Sequence, residues 1–154
     1  MNKKYFNLIF SALFLAAISL AMTSCGDDDD DDVENPGNSG TKSELAGKWY
    51  VDVTTTAYTT SIPEAQDYYN HEETEYGNGA YWEFTDTKVT VHDPNDLANN
   101  TSVKYSYNKA KRTITIAGSL VYTVEELTDD EMCLKNTTSN GNFTTTTTIE
   151  FTKD

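Results

Sequence analysis

An all-β fold, an antiparallel up-and-down barrel of eight strands, is the fold class this sequence predicts. Three observations lead there. From residue 41 onward, apolar side chains recur at every second position, the period of a strand with one buried face. The alternating runs are joined by mostly short connections carrying Gly, Asn and Asp, residues that suit tight turns. The runs are rich in β-branched and aromatic residues, and nine of the 10 tyrosines lie beyond residue 49. Closing so many short strands on themselves removes two exposed sheet edges, which favours a barrel. A two-layer β-sandwich satisfies the same periodicity and is the alternative.

The first strand spans about Gly47 to Thr56, with Trp49, Val51 and Val53 on its inner face. Ala80 to Thr85 groups Ala80, Trp82 and Phe84, and Asp86-Thr87 turns the chain into Lys88 to His92, which aligns Val89 and Val91. Thr101 to Tyr107 and Arg112 to Ala117 follow, joined by a hairpin loop at Asn108 to Lys111. Gly118 leads into Leu120 to Glu125, where Leu120, Tyr122 and Val124 share a side, and Glu131 to Lys135 pairs Met132 with Leu134. After the turn signal Asn140-Gly141, Phe143 to Thr152 places Phe143, Thr145, Thr147, Ile149 and Phe151 on one face. Its threonine run is a strand with one wet face, because β-branched threonine favours extended backbone.

One connection, residues 57–79, is long. It carries five carboxylates (Glu64, Asp67, Glu72, Glu73 and Glu75) and four tyrosines. Pro63 to Tyr68 has the character of a helix start, with Ser61 as a cap. Loops of this length are often functional, so Tyr58, Tyr68 and Tyr69 are candidate lid residues, against the plainer expectation of a surface excursion closing one barrel end.

Ahead of the barrel the chain changes character twice. Lys3 and Lys4 precede an apolar run over residues 5–22 that ends in small residues, the pattern of an export signal. The ending Met22-Thr23-Ser24-Cys25 resembles the lipobox of bacterial lipoproteins, with Met22 where Leu is usual. That resemblance implies a signal peptide over 1–24, cleavage before Cys25 and acylation of Cys25. Two or three acyl chains would make membrane attachment lasting. Cys25 would then be unable to form a disulfide with Cys133, a small half-buried strand residue with no base nearby in sequence.

Residues 25–40 form an acidic tether. Asp27, Asp28, Asp29, Asp30, Asp31 and Asp32 repel one another, and Pro36, Gly37 and Gly40 break regular structure. The tether reaches at most about 55 Å. An acidic run just after a lipidated cysteine resembles the surface-export signal of lipoproteins in some Gram-negative commensal bacteria. It implies an outer-membrane protein exposed at the cell surface. A plain spacer and weak calcium association are the alternatives. The whole chain has a formal charge of −14; cleavage at Cys25 would leave −16, of which residues 41–154 carry −9. Such acidity argues against nucleic acid as a partner.

Leu45-Ala46-Gly47-Lys48-Trp49 resembles the Gly-x-Trp signature that opens the first strand of lipocalins, and Tyr122 to Met132 resembles a late hairpin of lipocalin-like bacterial lipoproteins. The resemblance runs over residues 45–154 and implies a lipocalin-like barrel with Trp49 plugging the closed end. The domain is shorter than a typical calyx-forming lipocalin. The arginine that usually covers the signature Trp has no counterpart here, since Lys153 is the only basic residue near the C-terminus.

No catalytic or metal-binding pattern stands out. His71 and His92 lie at unrelated positions, without the Cys/His spacing of a zinc site. His92 to Asp96 lacks the Gly and distant Glu of a calcium loop and is expected to be a polar turn. Neither a phosphate loop nor a nucleophile elbow occurs. The expectation is therefore a non-enzyme without cofactor that binds a small apolar or amphipathic ligand. Its candidate cavity is lined by Trp49, Val51, Trp82, Phe84, Tyr105 and Tyr122. The alternative is a surface module that takes glycan or protein on exposed tyrosines, with Tyr81 as a further candidate.

Overall fold

The computed structural model describes residues 43–95 and 100–154; Cys25, the aspartates 27–32 and the boundaries expected at residues 24 and 40 lie outside them. Residues Glu44–Asp154 form one compact unit. Its described residues contain nine strands: β1 (Gly47–Thr60), β2 (His71–Tyr76), β3 (Tyr81–Phe84), β4 (Lys88–His92), β5 (Thr101–Asn108), β6 (Thr113–Ile116), β7 (Leu120–Leu127), β8 (Glu131–Asn140) and β9 (Phe143–Lys153). Neighbours pair in the order β1-β3-β4-β5-β6-β7-β8-β9, and β9 returns to β1, so eight strands close a barrel with β2 added outside the ring. Every pairing is antiparallel. The barrel, rather than the sandwich, is the fold.

The eight expected strands form the closed ring, and β2 is a ninth that the sequence did not announce. His71–Tyr76 (HEETEY) is almost wholly exposed and lacks apolar alternation, so its sequence has the look of a loop. It forms because the far half of β1 offers it an edge: Val53 to Tyr58 pair with Tyr76 to His71, while Gly47 to Tyr50 on the same edge pair with β3. β2 and β3 are thus two halves of one strand position, interrupted at Gly77–Ala80. Gly77 is required there, because a Cβ on it would lie 1.8 Å from the Val51 carbonyl oxygen.

A β-bulge between Val51 and Val53 corrects one expectation. One extra residue reverses the inside–outside alternation of everything that follows. Val53 turns partly outward, and Thr54, Thr56 and Thr60 are buried in its place. A second bulge separates Val124 from Glu126 in β7 and turns Leu127, rather than Glu126, toward Met132. Arg112, at φ 51°, supports it. Its Nε donates to the Val124 carbonyl and its Nη2 to the Glu125 carbonyl, both at 2.8 Å.

Strand lengths make the barrel lopsided. β1, β8 and β9 have 14, 10 and 11 residues, against four, five and four in β3, β4 and β6. Both β1 and β8 run past their expected ends at Thr56 and Lys135. With β2 they build a tall wall above one side of the rim. The long connection contracts to a 3-10 turn (Pro63–Ala65) and one helical turn, α1 (Gln66–Tyr69). Ser61 does not cap it; the Ser61 hydroxyl bonds Asn142 instead, at 3.1 Å.

Candidate functional site

The end of the barrel where β1 begins is closed. Leu45 and Trp49 are fully buried there, and the Trp49 indole Nε1 donates to the Leu45 carbonyl at 2.8 Å. Lys153 Nζ stands 4.6 Å over the Trp49 ring, a cation on the face of the buried indole. Glu44 pairs with Lys109 at 2.7 Å. That bond holds the Glu44 carboxyl below its ordinary range, while burial and Glu44 together raise the Tyr107 phenol.

Above this plug, five of the six expected cavity residues are buried core: Trp49, Val51, Trp82, Phe84 and Tyr122. They pack on one another. The Trp82 ring meets Phe151 at 5.3 Å, Tyr122 at 5.8 Å and Phe84 at 6.2 Å between centroids. Tyr105 is half-buried, its ring against Phe84 and its hydroxyl on the Thr85 carbonyl at 2.8 Å. Burial pushes the Tyr122 phenol far up.

The character of the interior changes along the tall wall. Beyond Val51 and Ile149, the inward side chains are Thr54, Thr56, Thr60, Thr147 and Asn136, all buried. The Asn136 amide donates to the Val121 carbonyl at 2.7 Å. Among the described residues, three buried side-chain atoms make no hydrogen bond: Thr54 Oγ1 on this wall, and, on β3 and β4, Trp82 Nε1 and His92 Nε2, the last 3.4 Å from the Glu83 carboxylate. A buried polar group without a partner costs about 1–3 kcal/mol, so such groups are uncommon in a settled core.

Higher on the same inner face, register sets Tyr58 beside His71, Thr56 beside Glu73 and Thr54 beside Glu75. Tyr58 and His71 stack at 4.7 Å. The His71 ring nitrogens reach the Tyr69 carbonyl at 2.7 Å and the Glu73 carboxylate at 3.7 Å. Tyr69 covers Phe143 with ring centroids 4.7 Å apart. Burial and the neighbouring Glu73 raise the Glu75 carboxyl above its ordinary value. Burial, then Glu73 and Glu75, do the same to the Tyr58 phenol.

Of the expected lid residues, Tyr58 and Tyr69 therefore meet through His71, whereas Tyr68 points into solvent at 78% exposure. Tyr81 stacks on His92 at 4.3 Å. Thr54, His71, Glu73, Glu75 and Phe143 were not among the expected site residues. The i, i+2, i+4 spacing of His71, Glu73 and Glu75 was the available signal, usable only once HEETEY is known to be a strand. Cys133 is half-buried, and burial followed by Glu150, Glu125 and Glu126 raises its thiol away from the reactive thiolate. Among the described residues, no three His, Cys, Asp or Glu side chains converge as metal ligands. No helix among them is long and apolar enough to cross a membrane.

The fold and the site define a closed, eight-stranded antiparallel β-barrel with one tall, polar-lined wall. The chain matches no protein-family model, no curated protein and no solved structure.

Proposed function

We propose that this chain is a lipid-anchored, surface-exported lipoprotein whose lipocalin-like barrel binds a small amphipathic ligand against the inner face of the tall wall. The observation that carries the binding site is the change of lining along one interior. A packed aromatic core gives way to buried hydroxyls, and Thr54 Oγ1 and Trp82 Nε1 have no protein partner. A ligand with one polar and one apolar end matches that gradient, because it places hydrogen-bonding atoms beside groups that lack them. The Gly-x-Trp signature supports the lipocalin resemblance, and Lys153 over Trp49 supplies the cover it calls for. The lipobox and the aspartate run carry the anchoring and the export. The barrel is the binding part, and neither a reaction nor a cofactor is needed.

Native mass spectrometry of the protein purified from its own host tests the binding directly. A copurified small molecule is the expected result. A protein that arrives empty, and unfolds identically with and without a panel of lipids and glycans, would sink it. Proteinase added to intact cells tests the location, and the domain should be digested while the cells remain whole.

A further inference from the structure

We infer that the upper part of the tall wall is a subsite for an organic ammonium group, formed by Glu73, Glu75 and the Thr54 hydroxyl with Tyr58 alongside. The inference rests on the ligand-binding reading above and names the polar end of that ligand. Glu73 and Glu75 lie two residues apart on the same strand, so both side chains project from the inner face. Side-by-side carboxylates repel each other. Among the described residues, the only base in an ion pair with either is His71, 3.7 Å from Glu73, so two carboxylates share one such partner. Excess negative charge therefore stands on an inward-facing surface, where a cation would offset it.

Thr54 points to the same place independently. It is 5% exposed, its Oγ1 has no hydrogen-bond partner, and its cross-strand neighbour on the inner face is Glu75. The Glu73 carboxylate already accepts a long hydrogen bond, 3.5 Å, from the Tyr58 hydroxyl, and an ammonium group has N–H donors to share among both carboxylates and the Thr54 hydroxyl oxygen. A bare metal ion is a poorer match, because among the described residues no three His, Cys, Asp or Glu side chains come together as ligands. Tyr58 lies beside Glu73, and Tyr69 and Phe143 stand further up the wall, so apolar ring surface is available to the rest of an organic cation. A sugar would leave the paired charge uncompensated.

Calorimetric titration of the full chain with three molecules of nearly equal shape separates the possibilities: 2-phenylethylammonium, 2-phenylethanol and phenylacetate. The ammonium should bind about tenfold tighter than the alcohol, as one charge-assisted hydrogen bond allows, and phenylacetate should bind weakest. Glu75→Gln and, separately, Glu73→Gln should bring ammonium and alcohol to near parity, chiefly by lowering the affinity for the ammonium. Both side chains are partly exposed and the replacements have the same shape, so folding should survive. If alcohol and ammonium bind equally to the unmodified chain, the ammonium subsite is wrong and the ligand-binding reading stands. Should none of the three bind, both are wrong for this class of molecule. Binding of calcium chloride without binding of the ammonium would make the acids a metal site and overturn the inference.

Discussion

The two ends of the barrel treat polar atoms in opposite ways. At the closed end the groups of the plug are matched: the Trp49 indole has the Leu45 carbonyl, Glu44 has Lys109, and the Trp49 ring has Lys153 above it, while Trp82 Nε1 on the neighbouring strand is left without a partner. On the tall wall a buried hydroxyl has no partner, two carboxylates face the same way, and a largely polar strand is held by one edge. One sheet runs through both regions, so strand geometry is not the cause. The closed end is arranged for stability. The wall carries costs that a bound molecule would remove, the pattern expected where stability is exchanged for function.

The largest effect should come from breaking the closed end. Trp49→Ala removes a fully buried indole, its hydrogen bond and its contact with Lys153 together. The cost should be about 3–5 kcal/mol, a fall in Tm on the order of 15–20 °C for a domain this size. Urea and thermal unfolding both measure it. A fall of only a few degrees would mean that the closed end is not where stability is concentrated.

Next in size is the junction between the regions. Gly77→Ala forces a Cβ toward the Val51 carbonyl, a backbone atom with little room to yield. The expected cost is about 2–3 kcal/mol, and it should fall unevenly. Amide hydrogen exchange should accelerate in His71–Tyr76 while β6 to β8 keep their protection. Uniform acceleration would show that β2 is an integral part of the barrel and not a separately tethered half-strand.

The same division explains what could be read from the sequence. Closed-end strands announce themselves by alternation: Val89 and Val91, Ile114 and Ile116, Met132 and Leu134 were all expected inside and are buried. The wall was largely illegible. Nothing in Val51-Asp52-Val53-Thr54 marks a bulge, yet that one residue decides whether Val53 or Thr54 faces inward. His71–Tyr76 has no apolar face, because its pairing partner and not a core recruits it. The acidic residues 72, 73 and 75 were visible as composition, but only pairing with β1 gives them a common direction. In the sequence Lys153 is simply a basic residue near the C-terminus, and its position over Trp49 follows only from the β1–β9 register.

Thr54→Val should act in the opposite direction from Trp49→Ala. The hydroxyl is buried and unpaired, so a methyl of similar size should stabilise the ligand-free protein by about 1 kcal/mol. It should also weaken phenylethylammonium binding. Gained stability with lost affinity is the signature of a polar atom kept for a ligand. Lost stability would place Thr54 among the satisfied groups and erase the contrast between the two ends.

The smallest effects, and the sharpest test of sign, belong to two carboxylates. Glu44 is held below its ordinary pKa, first by its hydrogen bond with Lys109. Its contribution is present above the unfolded-state value and is lost as pH falls through the lower folded value. Glu44→Gln should therefore cost about 0.5 kcal/mol near neutrality, an exposed ion pair after solvent screening, and nothing in acid. Glu75 is raised, first by burial and then by Glu73. Its folded state holds the proton more tightly than the unfolded chain does, so ionisation destabilises the fold above the folded value. That penalty shrinks as pH falls through the folded value and is gone below the unfolded one. Glu75→Gln should therefore stabilise the protein slightly at neutral pH and converge with the wild type in acid. Melting curves across the carboxylate range, with Glu44→Gln below the wild-type line and Glu75→Gln above it, express the opposition of the two ends in a single measurement. Two variants on the same side of that line would mean that the charges of the wall are as well matched as those of the plug.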